Sequence, residues 1–231
     1  MLTVTKDRVL PTTIVGSYPR PHWYTESLRG RPFKAALADT LFREQYFDAV
    51  ACILNDQERA GLDILTDGDA RFDQDVGGRS WFFYPLERIQ GVGEHRDRAP
   101  GWSSRMDLRP GQILWEVQEA YQAPIATEKL SHGPIQYAAV WQAAQRLTER
   151  PVKFGSISAQ TLPSMLWNEA YEDDREMILD LVDIINSELR AVAAAGCKVN
   201  RPDGALDRHP FGEPGYGCPR ARPVFLGRDG V

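Results

Sequence analysis

The chain lacks the features that mark secreted, membrane and nucleic-acid-binding proteins. It has three cysteines in 231 residues and no CxxC pair, so no disulfide framework is indicated. No apolar run approaches the roughly 18 residues that a membrane-spanning helix needs. The net charge of -5 argues against the basic face that nucleic-acid binding requires. The first residues, Met1–Arg8, lack the apolar core of a signal peptide. We therefore expect a protein of the reducing cytoplasm, without a membrane or nucleic-acid partner.

The sequence does contain alternating helix and strand signals in a composition typical of globular domains. Hydrophobic residues make up 42% and charged residues 26% of the chain. Apolar residues four or eight positions apart predict helices, and β-branched runs predict strands. The predicted helices span residues 34–60, 135–148 and 173–195, and the predicted strands span residues 12–16, 62–66 and 152–158. This alternation implies a parallel sheet, of which a barrel is the closed form.

The second predicted strand runs directly into an acidic segment, Asp63-Ile-Leu-Thr-Asp-Gly-Asp-Ala-Arg-Phe-Asp73. Carboxylates buried without a partner cost several kcal/mol each, so this run cannot be ordinary core. In α/β proteins, polar residues at a strand end supply binding groups at the carboxyl edge of the sheet. The segment is therefore either part of a binding site or a solvated acidic loop.

The first predicted strand also ends in a small polar turn, within Pro11-Thr-Thr-Ile-Val-Gly-Ser-Tyr-Pro-Arg20. Gly16 lets the backbone turn sharply or approach a ligand closely. Ser17 offers a hydroxyl and a backbone N–H to an anion, although it would also suit an ordinary turn. Donors from this strand end and carboxylates from the acidic segment would together suit a zwitterion such as an amino acid.

These two segments resemble the catalytic barrel of cobalamin-independent methionine synthase and its short-form relatives. The resemblance lies in Ile14-Val15-Gly16-Ser17-Tyr18-Pro19 and in the Gly68-Asp69 pair. A third segment, Pro151-Val-Lys-Phe-Gly-Ser-Ile-Ser158, is similar to the family's Lys-x-x-x-(Thr)-Gly-Pro-x-Thr motif, with Ser156 in place of proline. The similarity extends over roughly residues 9–199.

The resemblance implies a fold and an activity. The fold would be α/β, a partial TIM (β/α)8 barrel of the methionine synthase/uroporphyrinogen decarboxylase type, with its first three to four βα units in residues 1–199. The activity would be the transfer of a methyl group to the thiol of homocysteine, which gives methionine. The expected partner is therefore a small-molecule thiol amino acid.

The resemblance also implies roles for residues at the two strand ends. Ser17, next to Gly16, would bind the carboxylate of the amino acid, and Asp69, next to Gly68, would pair with its ammonium. Asp67 and Lys153 are secondary candidates, Lys153 because it could meet an acidic tail or a phosphate. A solvated lysine and a local Arg71–Asp73 ion pair are the ordinary alternatives for these side chains. The resemblance identifies no catalytic residue in this chain.

The family's cofactors are not matched by this sequence. The family holds homocysteine as a thiolate on zinc, through His, Cys, Glu and Cys ligands from later strands. None of these ligands has a counterpart here: the four histidines are His22, His95, His132 and His209, and no His-x-Cys pair exists. The family tryptophan that follows the third-strand Gly-Pro is also missing, since Leu162 lies near that place and Trp167 comes later. This departure argues against assigning folate as the methyl donor.

The character of the sequence changes after Val199. Residues 200–231 contain six glycines, five prolines and five arginines, without helical or strand periodicity. This composition predicts either a disordered tail or a segment read in a shifted frame. Under both explanations the chain would be an incomplete fragment with exposed sheet edges, and edges of this kind favour self-association. The nucleotide sequence around codon 199, read in three frames, distinguishes the two.

Two other functions stay open at this stage. A barrel of the same type could use another thiol, such as coenzyme M, as a transferase or lyase, or could be related to porphyrinogen decarboxylases. The sulfonate of coenzyme M would call for an arginine rather than an acid, and Arg20, Arg71 and Arg79 are available. Alternatively, the chain could be an inactive remnant.

Overall fold

The computed structural model describes residue 4 and residues 7–28, 39–71, 80–97, 110–111 and 122–203, in which helices alternate with short strands. The helices are α1 His22–Leu28, α2 Thr40–Arg59, α3 Ser80–Leu86, α4 Tyr137–Gln145 and α5 Asp174–Ala194, with a 3-10 turn at Leu162–Met165. The strands are β1 Gln90–Asp97, β2 Gln122–Ser131, β3 Phe154–Ile157, β4 Trp167–Asn168 and β5 Asn200–Asp203. None of the described helices is long and apolar enough to cross a membrane.

The two long helices form where periodicity and capping agree. Helix α2 begins after Asp39, whose side chain accepts a hydrogen bond from the Phe42 N–H at 3.3 Å. Helix α5 begins after Asp173, whose side chain accepts from Arg175 N at 2.8 Å. The buried faces carry apolar residues three or four apart, namely Phe42, Tyr46, Ala49, Val50, Ile53 and Leu54 on α2 and Met177, Leu181, Ile184, Ile185 and Val192 on α5. The helix predicted over 173–195 is therefore observed. Of the helix predicted over 34–60, residues 40–59 are observed as helix.

The strands form two small sheets. β1 and β2 make an antiparallel hairpin, and β2 pairs in parallel with β4. β3 pairs in parallel with β5, from Phe154 opposite Asn200 to Ile157 opposite Asp203. The hairpin is not among the strands that the sequence predicts, because only residues 123–126 and 130 of its second strand are buried and give an apolar signal.

The predicted strand segments contact one another in chain order. The Thr12 carbonyl accepts from Asp63 N and Ile64 N, both at 3.1 Å. Leu65 and Val152 form a parallel bridge, and β3 then pairs with β5. The residues that follow these segments consequently lie at one edge, where polar side chains can meet.

The strands predicted at 12–16 and 62–66 do not form ladders, because side chains take the place of a neighbouring strand. Thr12 N donates to Asp63 Oδ2 at 2.8 Å. The buried Gln57 amide accepts from Thr66 N at 2.9 Å and donates to the Thr66 carbonyl at 2.8 Å. The described residues thus show an α/β fold with two small sheets, and the partial barrel stays a prediction.

Pairing with β3 continues four residues past position 199, to Asp203. The predicted boundary at 199 therefore falls just before this strand. Residues 204–231, which make up most of the predicted tail, lie outside the described residues.

Candidate functional site

Two loops that the sequence singles out lie against each other. Tyr18 N donates to the Gly68 carbonyl at 2.9 Å. Ser17 Oγ donates to Asp69 Oδ2 at 3.1 Å, and Arg20 Nη2 donates to the Asp69 carbonyl at 3.4 Å. The structure therefore brings the two candidate substrate-binding residues, Ser17 and Asp69, within hydrogen-bond distance across 52 positions of sequence.

The acidic loop is a tight turn with two consecutive left-handed residues. Gly68 has φ +65° and Asp69 has φ +56°, a conformation that costs little for glycine and more for aspartate. Gly68 N donates to Thr66 Oγ1 at 3.0 Å, and Asp69 N donates to Asp67 Oδ1 at 3.1 Å. These bonds within the turn hold Asp69 in its unusual conformation.

Gly68 is also required for space. A Cβ at this position would lie 2.7 Å from the Tyr18 Cβ and 2.8 Å from the Ile53 Cγ2. Gly16, by contrast, has φ +90° but nothing within 4 Å of such an atom, so its backbone conformation rather than close contact calls for glycine.

Asp67, Asp69 and Arg71 form a buried ionic cluster. Arg71 is fully buried, and Asp67 and Asp69 are 4% and 7% exposed. Arg71 Nε lies 3.3 Å from Asp67 Oδ2, and Arg71 Nη2 lies 3.1 Å from Asp69 Oδ1. Burial by itself would lower the pKa of Arg71, but the two carboxylates raise it above its ordinary value. The acidic segment is therefore not a solvated loop at these positions, and Arg71 supplies the partner that buried carboxylates need.

Arg71 links this cluster to β3 and α4. Its Nη2 also donates to the Gly155 carbonyl. Its guanidinium carbon lies 4.7 Å from the centre of the Phe154 ring and 5.7 Å from that of Tyr137. Stacking on aromatic faces fixes the plane of a guanidinium, and with it the positions of the carboxylates that it binds. The Arg71–Asp73 pair considered above involves a residue outside the described ones.

A cavity of about 20 Å³ lies between the ends of the first two predicted strands and the first part of the third. It is lined by Ile14, Val15, Gly16, Thr66, Asp67, Asp69, Lys153 and Gly155. A cavity of this size has room for about one water molecule. Lys153 is 6% exposed, and its Nζ donates to the Ile14 carbonyl, so it is not the solvated lysine that the sequence alone favours.

The site therefore gathers the six candidates around one cavity. Gly16, Asp67, Asp69 and Lys153 line it, Ser17 contacts Asp69, and Gly68 shapes the turn. Sequence reasoning missed Arg71 as the shared partner of the two carboxylates. The alternating Asp67-x-Asp69-x-Arg71 spacing was the available signal, since a cation close in sequence can neutralise two neighbouring acids.

The described residues do not fit a zinc ion. Among them, no three or more His, Cys, Asp or Glu side chains are grouped so that they could hold a metal. Two of the histidines lie beside a glutamate instead. His132 Nε2 lies 2.8 Å from Glu188 Oε1, and His22 Nε2 lies 3.7 Å from Glu26 Oε1. Burial raises the pKa of the Cys197 thiol, which contacts the Val199 carbonyl and is held in the protonated form that binds metals poorly.

Residues 10–208 of the chain match the family described as cobalamin-independent synthase, catalytic domain. The chain is 30% identical over 195 residues to a methionine synthase of Sulfurisphaera tokodaii, covering 84% of this chain and 52% of that protein. It is also 30% identical over 205 residues to a methionine synthase of Sulfolobus acidocaldarius, covering 84% of this chain and 51% of that protein. The chain thus spans about half the length of the curated relatives it matches.

A likeness in fold extends to solved structures. The B12-independent methionine synthase from Shewanella sp. W3-18-1, determined in complex with selenomethionine, superimposes with a TM-score of 0.62 at 20% identity. The match covers 83% of this chain and 50% of that one. At this level of identity the likeness concerns the fold.

Proposed function

The chain belongs to the cobalamin-independent methionine synthase family, and from that premise we propose that it takes part in transferring a methyl group to the thiol of homocysteine, giving methionine. Its curated relatives carry the name methionine synthase. Because the chain spans about half their length, the part that we assign to it is the binding of the amino-acid end of the substrate.

The observation that carries this proposal is the contact between Ser17 and Asp69 beside the cavity. In the proposed complex, Asp69 accepts a hydrogen bond from the substrate ammonium. The Ser17 N–H donates to the carboxylate, while the Ser17 hydroxyl keeps its bond to Asp69 Oδ2. A carboxylate offers about four acceptor positions, so the bonds that Asp69 receives from Arg71 and Ser17 are compatible with a further one from an ammonium. Charge-assisted bonds of this kind contribute about 1.5–3 kcal/mol each.

We also propose that residues 1–199 form the N-terminal part of a methionine-synthase-like barrel, with three to four βα units. The contacts of Thr12 with 63–64, of Leu65 with Val152, and of β3 with β5 support this proposal, because they follow chain order. Self-association through the edges of the parallel sheet belongs to the same proposal and is measured by size-exclusion chromatography.

We assign no chemical step to the zinc ion that the resemblance leads us to expect. Among the described residues, no group of three or more His, Cys, Asp or Glu side chains could hold it, and His132 is paired with Glu188. The proposal for this chain is therefore limited to binding and orienting the amino acid. A bound zinc ion would supply activation of the homocysteine thiol.

The test is the replacement Asp69→Asn in the full chain, with L-homocysteine binding measured by isothermal titration calorimetry. Losing one charge-assisted bond should weaken binding about 10- to 100-fold. The matched control is Asp183→Asn, on the exposed side of α5, which should leave the affinity unchanged. Unchanged affinity in Asp69→Asn would remove Asp69 from the site, and preference of the wild type for coenzyme M over homocysteine would favour the other thiol.

A further inference from the structure

Lys153 is a buried cation whose role neither the sequence nor the proposed function explains. Lysine is almost never buried unless it has a polar partner. Lys153 lies near the start of the third predicted strand, just before β3, and lines the cavity together with Asp67 and Asp69. Its Nζ donates to the carbonyl of Ile14, a residue of the neighbouring segment.

The formal charges of the four buried ionisable side chains at the cavity are balanced. Asp67 and Asp69 contribute two negative charges, and Arg71 and Lys153 contribute two positive ones. A ligand with a net charge would disturb this balance in a region of low dielectric, whereas a zwitterion preserves it. Among the described residues that line the cavity, the cationic side chain is that of Lys153, because Arg71 reaches the two carboxylates from outside the lining.

The Ser17 hydroxyl donates to Asp69 Oδ2, and it has no charge with which to attract an incoming carboxylate. The Lys153 ammonium has a positive charge that can attract it. One of its acceptors, the Ile14 carbonyl, is neutral, and exchange of that bond for one to a ligand carboxylate would replace a neutral acceptor with a charged one. The four-carbon stem of lysine is flexible enough for this exchange, and its movement would enlarge a cavity that now has room for about one water.

We propose that Lys153 binds the carboxylate of an amino-acid ligand whose ammonium is held by Asp69, and that it thereby determines specificity for zwitterionic amino acids. This inference rests on the proposed function and adds a residue to it. Ser17 then orients Asp69 and borders the carboxylate, while Lys153 supplies the charge that attracts it.

The experiment measures three ligands on the full chain by calorimetry, using direct and competition titrations. They are L-homocysteine, 3-aminopropane-1-thiol, which lacks the carboxylate, and 4-sulfanylbutanoate, which lacks the ammonium. Lys153→Met should weaken the binding of homocysteine and of 4-sulfanylbutanoate about 10- to 100-fold and leave the affinity for the aminothiol unchanged. Asp69→Asn should show the opposite selectivity, weakening homocysteine and the aminothiol.

The control variant is Lys198→Met, an exposed lysine that should change none of the three affinities. Folding of each variant is checked by thermal melting followed by circular dichroism. If Lys153→Met does not fold, Lys153→Arg replaces it, because it keeps the charge in a different geometry. It should alter the ratio of homocysteine to aminothiol affinity while leaving the aminothiol affinity itself in place.

If Lys153→Met weakens the binding of all three ligands equally, Lys153 has only a structural role. If it leaves the affinity for homocysteine unchanged, Lys153 is not part of the site. Either result overturns this inference alone, because homocysteine still binds the wild type. Failure of the wild-type chain to bind homocysteine overturns the proposed function and this inference with it.

Discussion

The segment from Asp63 to Arg71 has ion pairs at both ends, and their surroundings differ. At its start, Asp63, whose side chain is 14% exposed, pairs with Arg8, whose side chain is 58% exposed, and accepts from Thr12 N at 2.8 Å. At its end, the Asp67–Asp69–Arg71 cluster is at most 7% exposed. Exposed pairs are screened by water and contribute little, whereas removing one partner of a buried pair leaves a charge with no compensation.

The pKa values reflect the same contrast. The bonds from the Thr12 N–H and hydroxyl, followed by Arg8 and Arg150, lower the pKa of Asp63. In the buried cluster, burial opposes the charged form of Arg71 while Asp67 and Asp69 favour it and prevail. Substitutions at the first end should therefore change stability little, because water reaches its charges. Substitutions in the buried cluster should change stability more, because water is excluded there and each charge needs its partner.

The largest expected effect follows from Arg71→Met. This change leaves two buried carboxylates without their guanidinium and should lower the free energy of unfolding by about 3–5 kcal/mol. Urea unfolding followed by circular dichroism measures it. Arg96→Met is the matched control, because Arg96 and its partner Glu169 are 50% and 48% exposed, and it should cost about 0–1 kcal/mol.

Adding Asp67→Asn and Asp69→Asn to Arg71→Met should recover part of the lost stability, since the uncompensated charges are then removed. Equal losses in Arg71→Met and Arg96→Met would contradict the contrast between the two ends.

An intermediate effect is expected for Gly68→Ala. The added Cβ would meet Tyr18 and Ile53 at less than 3 Å, and alanine would also have to adopt φ +65°. We expect a loss of about 2–4 kcal/mol. Gly61→Ala isolates the backbone part, because Gly61 has φ +78° with nothing within 4 Å, and should cost about 1–2 kcal/mol. Losses of the same size in both variants would show that the close approach of the two loops contributes nothing.

The smallest effect is expected for Asp63→Asn, and it should depend on pH. Because the pKa of Asp63 is lower in the folded chain than its ordinary value of 3.8, its contribution is present above pH 3.8 and is lost as the pH falls through the folded value. The difference in melting temperature between wild type and Asp63→Asn should therefore be small at pH 6 and should shrink further below pH 3.8. A difference that grows on acidification would refute this assignment.

The helices could be predicted from sequence, but the pairing of the first two strands could not. Periodicity and an aspartate cap are local signals, so α5 was predicted to within a residue at each end. The segments at 12–16 and 62–66 have strand-like residues, yet side chains of Asp63 and Gln57 occupy backbone groups that a ladder would use. Nothing in the local sequence indicates that a distant side chain will satisfy a backbone group.

By itself, the sequence determined the family motifs, the main helices and six candidate site residues, because these depend on residue type and spacing along the chain. Only the tertiary structure decided that Arg71 neutralises two acids at once and that Lys153 is buried beside them. Burial determines what a charged side chain costs and which partner it needs, and burial arises only when segments far apart in sequence come together.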